Sequence, residues 1–111
     1  MFNNYSVLAI VPARGGSKRV LGKNKRLIGG SPLISWTIQA CRDCKYIDRI
    51  VVSTDDPDIA QISTNSGADL VLNRSAGLST DSSPVMDTVT QIITDLKAKG
   101  ESYDFVFLGQ P

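Results

Sequence analysis

Val7-Leu8-Ala9-Ile10-Val11-Pro12-Ala13-Arg14-Gly15-Gly16-Ser17-Lys18-Arg19 passes from apolar to cationic chain within a few residues. The first five side chains are bulky, partly β-branched and uninterrupted by polar residues, which suits a strand covered on both faces. Adjacent glycines then reach backbone conformations closed to other residues and, having no Cβ, let a ligand approach their N–H groups. Between Arg14 and Arg26 there are six basic residues (Arg14, Lys18, Arg19, Lys23, Lys25, Arg26) and no acid. That segment carries +6 and the rest, with six bases against eleven acids, carries −5. Ligands of open α/β sheets bind at the carboxyl ends of the strands. The stretch therefore predicts a pocket for a polyanion, a phosphorylated small molecule, at the tip of the first strand.

The chain as a whole is ordinary. Its 111 residues make one domain, and 41% hydrophobic and 21% charged residues are usual for a soluble globular protein. A net charge of +1 gives no general attraction to nucleic acid or membrane. No apolar run approaches the ~20 residues of a spanning helix. Met1-Phe2-Asn3-Asn4-Tyr5-Ser6 lacks the positive region of a secretory signal. The expected location is cytoplasmic. Cys41 and Cys44 form a C-x-x-C, but late in a predicted helix rather than at a helix start, where the dipole favours thiolate. Zinc needs about four ligands, and the chain has two cysteines and no histidine. Reduced thiols along a helix face are the simpler reading.

Taken in order, the signals alternate between strand and helix. Leu27-Ile28-Gly29-Gly30 reads as an extended piece and a turn, and Ser31-Pro32 as an N-cap with proline at the first helical position. Leu33, Ile34, Ile38, Cys41 and Cys44 recur at helical spacing to about Lys45. Strand Arg49–Ser53 follows, then a capped helix from Pro57 to Ser66 ended by Gly67, and strand Asp69–Leu72. After a polar loop, Ser83-Pro84 opens a helix to Lys99 with Val85, Val89, Ile92, Ile93 and Leu96 on one face, and Tyr103–Leu108 is the fourth strand. The order βαβαβαβ with short, right-handed connections predicts a Rossmann-like parallel sheet with helices on its faces. Such a sheet usually continues. The chain is therefore expected to be truncated after its fourth strand, or the amino-terminal half of something larger, with an apolar face left exposed.

Common phosphate motifs do not fit. Gly16 and Gly22 are six apart and Gly22-Lys23 is followed by Asn24, so the Walker A pattern is absent, as is G-x-G-x-x-G. Pro12 to Arg26 contains no aromatic residue on which a base could stack, which argues against single-stranded nucleic acid.

Pro12-Ala13-Arg14-Gly15-Gly16-Ser17-Lys18, Lys23-Asn24 and Pro32-Leu33-Ile34 resemble the opening of the CMP-sugar-acid synthetases, cytidylyltransferases of the CMP-N-acetylneuraminic acid synthetase type. Ile50-Val51-Val52-Ser53-Thr54-Asp55, Leu78-Ser79-Thr80-Asp81 and Leu108-Gly109-Gln110-Pro111 continue the resemblance in the same order. It implies a nucleotide-diphospho-sugar transferase fold, with residues 1–111 as its amino-terminal nucleotide-binding part. It also implies transfer of CMP from CTP to a nonulosonic sugar acid such as N-acetylneuraminate, with release of pyrophosphate. On this resemblance Arg14, Lys18 and Lys23 are the catalytic cations on the triphosphate. Ala13, Arg14, Gly15, Gly16, Ser17, Asn24, Arg74, Asp81, Ser82 and Ser83 are nucleotide-binding, and Gln110 faces the sugar acid. Mg²⁺ is expected for the family, but its aspartate ligands, like the segment that makes the family homodimeric, are not in this chain. Asp55 and Asp56, just before Pro57, read as a helix cap. The chain is expected to be inactive alone, and the alternative is a non-catalytic nucleotide- or phosphate-binding module.

Overall fold

The four long strands form one parallel sheet in the order β5-β4-β1-β6, with β1 Val7–Pro12, β4 Arg49–Thr54, β5 Leu70–Asn73 and β6 Phe105–Leu108. The computed structural model describes residues 1–13, 27–28, 30–73 and 85–109. Between β1 and β4 the chain makes a two-residue hairpin, β2 Leu27–Ile28 against β3 Ser31–Pro32, and then α1 Leu33–Asp43. α2 Pro57–Ser66 joins β4 to β5, and α3 Val85–Ala98 joins β5 to β6. The predicted Rossmann-like α/β architecture is present.

The period-two alternation of β1 builds both layers. Ala9, Val11 and Ala13 face one side and join Ile34, Ile38 and Cys41 of α1, Ile59 of α2, and Ile50 and Val52 of β4. Leu8 and Ile10 face the other, with Val51 and the α3 residues Val89, Ile92 and Leu96. β1 is thus buried on both faces, as its composition requires.

Local signals set most element ends. Asp56 caps α2, its Oδ1 accepting from the N–H groups of Asp58 (2.8 Å) and Ile59 (3.3 Å). Gly67 ends α2 in the left-handed region at φ 106°, and a Cβ there would run into the side chain of Arg42, whose guanidinium donates to the Gly67 carbonyl. Two expectations are corrected. Ser31 is not the cap of α1: Pro32 holds the N-cap position without a side-chain hydrogen bond, because Ser31 and Pro32 are already paired in β3. Ile93 does not join the buried face of α3 but is 39% exposed, and Thr88 is buried instead, since the core-facing stripe runs through 88, 89, 92 and 96.

A repeated device at the amino edge of the sheet was not anticipated. An aspartate one residue before a strand accepts the first N–H groups of the neighbouring strand in three places. Asp48, before β4, accepts from Val7 N–H (2.7 Å); Asp69, before β5, from Ile50 N–H (2.7 Å); Asp104, before β6, from Ser6 N–H (2.8 Å). Each bond ties two adjacent strands together at their start and fixes their register, because a shift by one residue would turn every side chain to the wrong face.

Asp48 also receives the Met1 ammonium at 2.8 Å, and this contact, with the Val7 N–H, holds its carboxyl below the ordinary value of 3.8. A depressed carboxylate stabilises the fold above its unfolded-state value and loses that contribution as pH falls through the folded-state value. Urea unfolding of Asp48→Asn is therefore expected to show lower stability than the parent at pH 6, with the difference shrinking at pH 3. A gap that stays constant between the two would contradict this reading.

Candidate functional site

Because the four strands are parallel, their carboxyl ends share one rim of the sheet. β1 ends there at Pro12, β4 at Thr54, β5 at Asn73 and β6 at Leu108. Helices joining parallel strands run back against them, so α1, α2 and α3 all begin at this rim. Each brings the partial positive charge of its N-terminus toward it. The succession β1, β4, β5 runs outward on one side and β6 lies on the other, which makes the boundary between β1 and β6 the topological switch point where open α/β sheets take ligands.

The segment 14–26, with its six basic residues, leaves the sheet at this point. Ala13, fully buried, donates its N–H to the Ser53 carbonyl at 2.8 Å, and Gly109 donates to the Ile10 carbonyl at 2.9 Å. Both bonds extend the sheet pairing beyond the last strand residues. The amide of Ala13 is therefore committed to the sheet, immediately before segment 14–26. Beside it Ser53 and Thr54 are buried, and the Thr54 hydroxyl accepts from Asp56 N–H at 3.1 Å.

Of the residues singled out in the sequence, Arg14, Gly15, Gly16, Ser17, Lys18, Lys23, Asn24, Arg74, Asp81, Ser82, Ser83 and Gln110 lie outside the described residues. Their attachment points do not. Segment 14–26 departs from β1, 74–84 from the end of β5, and Gln110 follows Gly109 beyond β6. With neighbouring strands about 4.8 Å apart, the outermost of these roots are three spacings, roughly 14 Å, from each other. One small ligand can span them.

The charge layout favours an anion on that rim. Asp48, Asp69 and Asp104 are all bonded at the opposite, amino edge of the sheet. Among the described residues no three His, Cys, Asp or Glu side chains cluster as metal ligands. Asp56 spends Oδ1 on capping α2. The described residues thus do not fit a divalent cation. In the C-x-x-C, burial and then the neighbouring Cys44 push the Cys41 thiol up. Among the described residues no helix is long and apolar enough to cross a membrane.

A parallel sheet with helices on both faces defines a Rossmann-like α/β protein. Residues 8–103 match the family described as cytidylyltransferase, and the chain belongs to that family. It is 43% identical over 105 residues to the CMP-N,N'-diacetyllegionaminic acid synthase of Legionella pneumophila, covering 95% of this chain and 45% of that protein. It is 36% identical over 99 residues to a pseudaminic acid cytidylyltransferase of Campylobacter jejuni, covering 89% and 43%. A CMP:2-keto-3-deoxy-manno-octonic acid synthetase, solved in complex with CTP, superposes with a TM-score of 0.73 at 23% identity, over 94% of this chain and 40% of that one. The chain thus spans less than half the length of these relatives.

Proposed function

We propose that the chain forms the nucleotide-binding part of a cytidylyltransferase that joins CMP from CTP to a nonulosonic sugar acid and releases pyrophosphate. The observation that carries this reading is the rooting of a segment whose charged residues are all basic at the switch point of the sheet, on the rim that three helix N-termini face. Arg14, Lys18 and Lys23 are assigned to the triphosphate, with the N–H groups of Gly15, Gly16 and Ser17. Asn24, Arg74, Asp81, Ser82 and Ser83 are assigned to the ribose and cytosine, and Gln110 to the acid. Attack of the sugar hydroxyl on the α-phosphorus needs in-line positioning and charge stabilisation, not a covalent protein intermediate. The names of the relatives support CTP as donor and a nonulosonic acid as acceptor. Mg²⁺ belongs to the reading as an expectation for the whole enzyme.

Titration calorimetry tests donor choice. CTP is expected to bind at least tenfold more tightly than ATP or GTP; equal affinities, or no heat with any of the three, would remove the assignment. A second reading, nucleotide binding without turnover, is favoured for the 111 residues by themselves because they correspond to less than half of each relative. Incubated with CTP, Mg²⁺ and N-acetylneuraminate, the chain is expected to release no pyrophosphate above background. Measurable release would defeat that second reading.

A further inference from the structure

Cys41 and Cys44 stand on either side of the point where α1 ends. The helix runs to Asp43, and Cys44 is its cap residue at φ −82° and ψ 111°, already extended. The pair is therefore not a stripe along a helix face: one thiol is held by the helix and the other lies just beyond it. Cys44 N–H donates to the Cys41 carbonyl at 3.2 Å. Such a bond closes a four-residue turn, which keeps its outer α-carbons under about 7 Å apart, and disulfides bridge α-carbons about 4.4–6.8 Å apart. Residues 41–44 by themselves thus bring the two thiols within bridging range, and both side chains lie on the flank of α1 that faces β6.

The two thiols differ in what they can do. Cys41 is 4% exposed, with its sulfur beside Gly109, and burial keeps it protonated. Cys44 is half-buried and lies past the last helical residue, so it meets a small oxidant first and supplies the movement that brings the sulfurs together. A pair at a helix start is a strong oxidant because the dipole stabilises thiolate, the reduced form. At the end of α1 the dipole has the opposite sign, so the reduced pair gains nothing from it and the bridged form is the more persistent.

We propose that Cys41 and Cys44 form an oxidisable dithiol that a hydroperoxide closes into an intramolecular disulfide at the end of α1. The Cys44 sulfur attacks the peroxide O–O bond, keeps one oxygen as sulfenic acid and releases the remainder as water or an alcohol. The Cys41 sulfur then attacks the Cys44 sulfur. The S–S bond forms, the S–O bond breaks, and the hydroxyl leaves with the Cys41 proton as water. Two electrons pass from the pair to the peroxide, and no further reactant is needed. The nearness of the second thiol offsets its low thiolate fraction, because this step is unimolecular. Neither the rim nor a nucleotide takes part, so failure here would leave the CTP titration unaffected.

Arg42 lies between the two cysteines, so trypsin, which cleaves after it, separates them unless they are bridged. The reduced 111-residue chain is treated with hydrogen peroxide, blocked with iodoacetamide in urea and digested without reductant. The peptide ending at Arg42 and the peptide Asp43-Cys44-Lys45 are expected as one covalently linked species that separates on reduction, from a chain that stays monomeric and has lost two hydrogens in mass. In Cys44→Ser, the remaining Cys41 is expected to be oxidised at least tenfold more slowly than the thiols of the parent. Cys44 recovered as a sulfinic acid or in a chain-to-chain disulfide, with Cys41 alkylated, would overturn the proposal. So would two alkylated cysteines after a treatment that fully oxidises free glutathione, or a Cys44→Ser chain whose Cys41 reacts at the parent's rate.

Discussion

Alanine at both Arg14 and Lys18 is expected to weaken CTP binding at least a hundredfold while leaving the urea midpoint of the chain where it was. On the proposed reading these two side chains hold the triphosphate. A unit charge at 4 Å in a partly shielded site attracts another by about 4 kcal/mol when the effective dielectric constant is about 20. Screening by salt and the flexibility of the side chains reduce this, yet a hundredfold loss needs only about 2.7 kcal/mol. The effect should therefore be plain in a titration at moderate salt. The parent affinity should itself fall as salt is raised, and more steeply than that of the double variant. Fold stability is expected not to follow, because the two apolar clusters are built of other residues and a cationic side chain is seldom buried without a partner. An unchanged affinity would move the phosphate site away from the rim between β1 and β6.

Ile38→Ala is expected to have the largest effect on the fold itself. Ile38 is fully buried where α1 meets β1 and β4. Truncating a buried isoleucine costs about 2–5 kcal/mol through lost transfer energy and the cavity left behind, against a total stability of about 5–15 kcal/mol for a domain of this kind. The chain should unfold at much lower urea or fail to accumulate. The contrast within α3 is equally specific. Ile92→Ala, at a residue 3% exposed, should cost several times what Ile93→Ala costs at a residue 39% exposed. Equal losses for the two would mean that α3 presents a different face to the sheet.

Much of this architecture is readable from local chemistry. The unbroken apolar run of β1, the Asp56-Pro57 start and Gly67 end of α2, and the spacing of Ile34, Ile38 and Cys41 each act within a few residues, so sequence displays them directly. The parallel order follows from alternation and crossover handedness. Other features depend on partners distant in the chain. Ser31 is a good cap by composition, but its pairing with Ile28 overrides that preference. Ile92 and Ile93 are indistinguishable as residues, and only the exact helix phase against the sheet decides which is buried. The turn at Asn3 and Asn4, with φ of 47° and 69°, had a signal in the tolerance of asparagine for left-handed backbone. The aspartate clasps also had one, a single Asp directly before each of β4, β5 and β6. Its meaning lies in a neighbouring strand up to 98 residues away, beyond the reach of any window. For the rim, the sequence supplies the chemical inventory and the family supplies the roles. The fold adds that segments 14–26 and 74–84 and residue 110 are rooted on one side of one sheet.

The clasps at Asp48, Asp69 and Asp104 have a further consequence. They settle strand register at the end of the sheet remote from the rim, so alignment of the strands does not depend on what the rim loops contain. Substitutions, insertions or altered loop lengths at the carboxyl side can accumulate without misaligning the layers beneath. That division of labour lets a single scaffold diversify its preferences at little structural risk, and it accords with relatives whose names carry different acids, legionaminic in one case and pseudaminic in another.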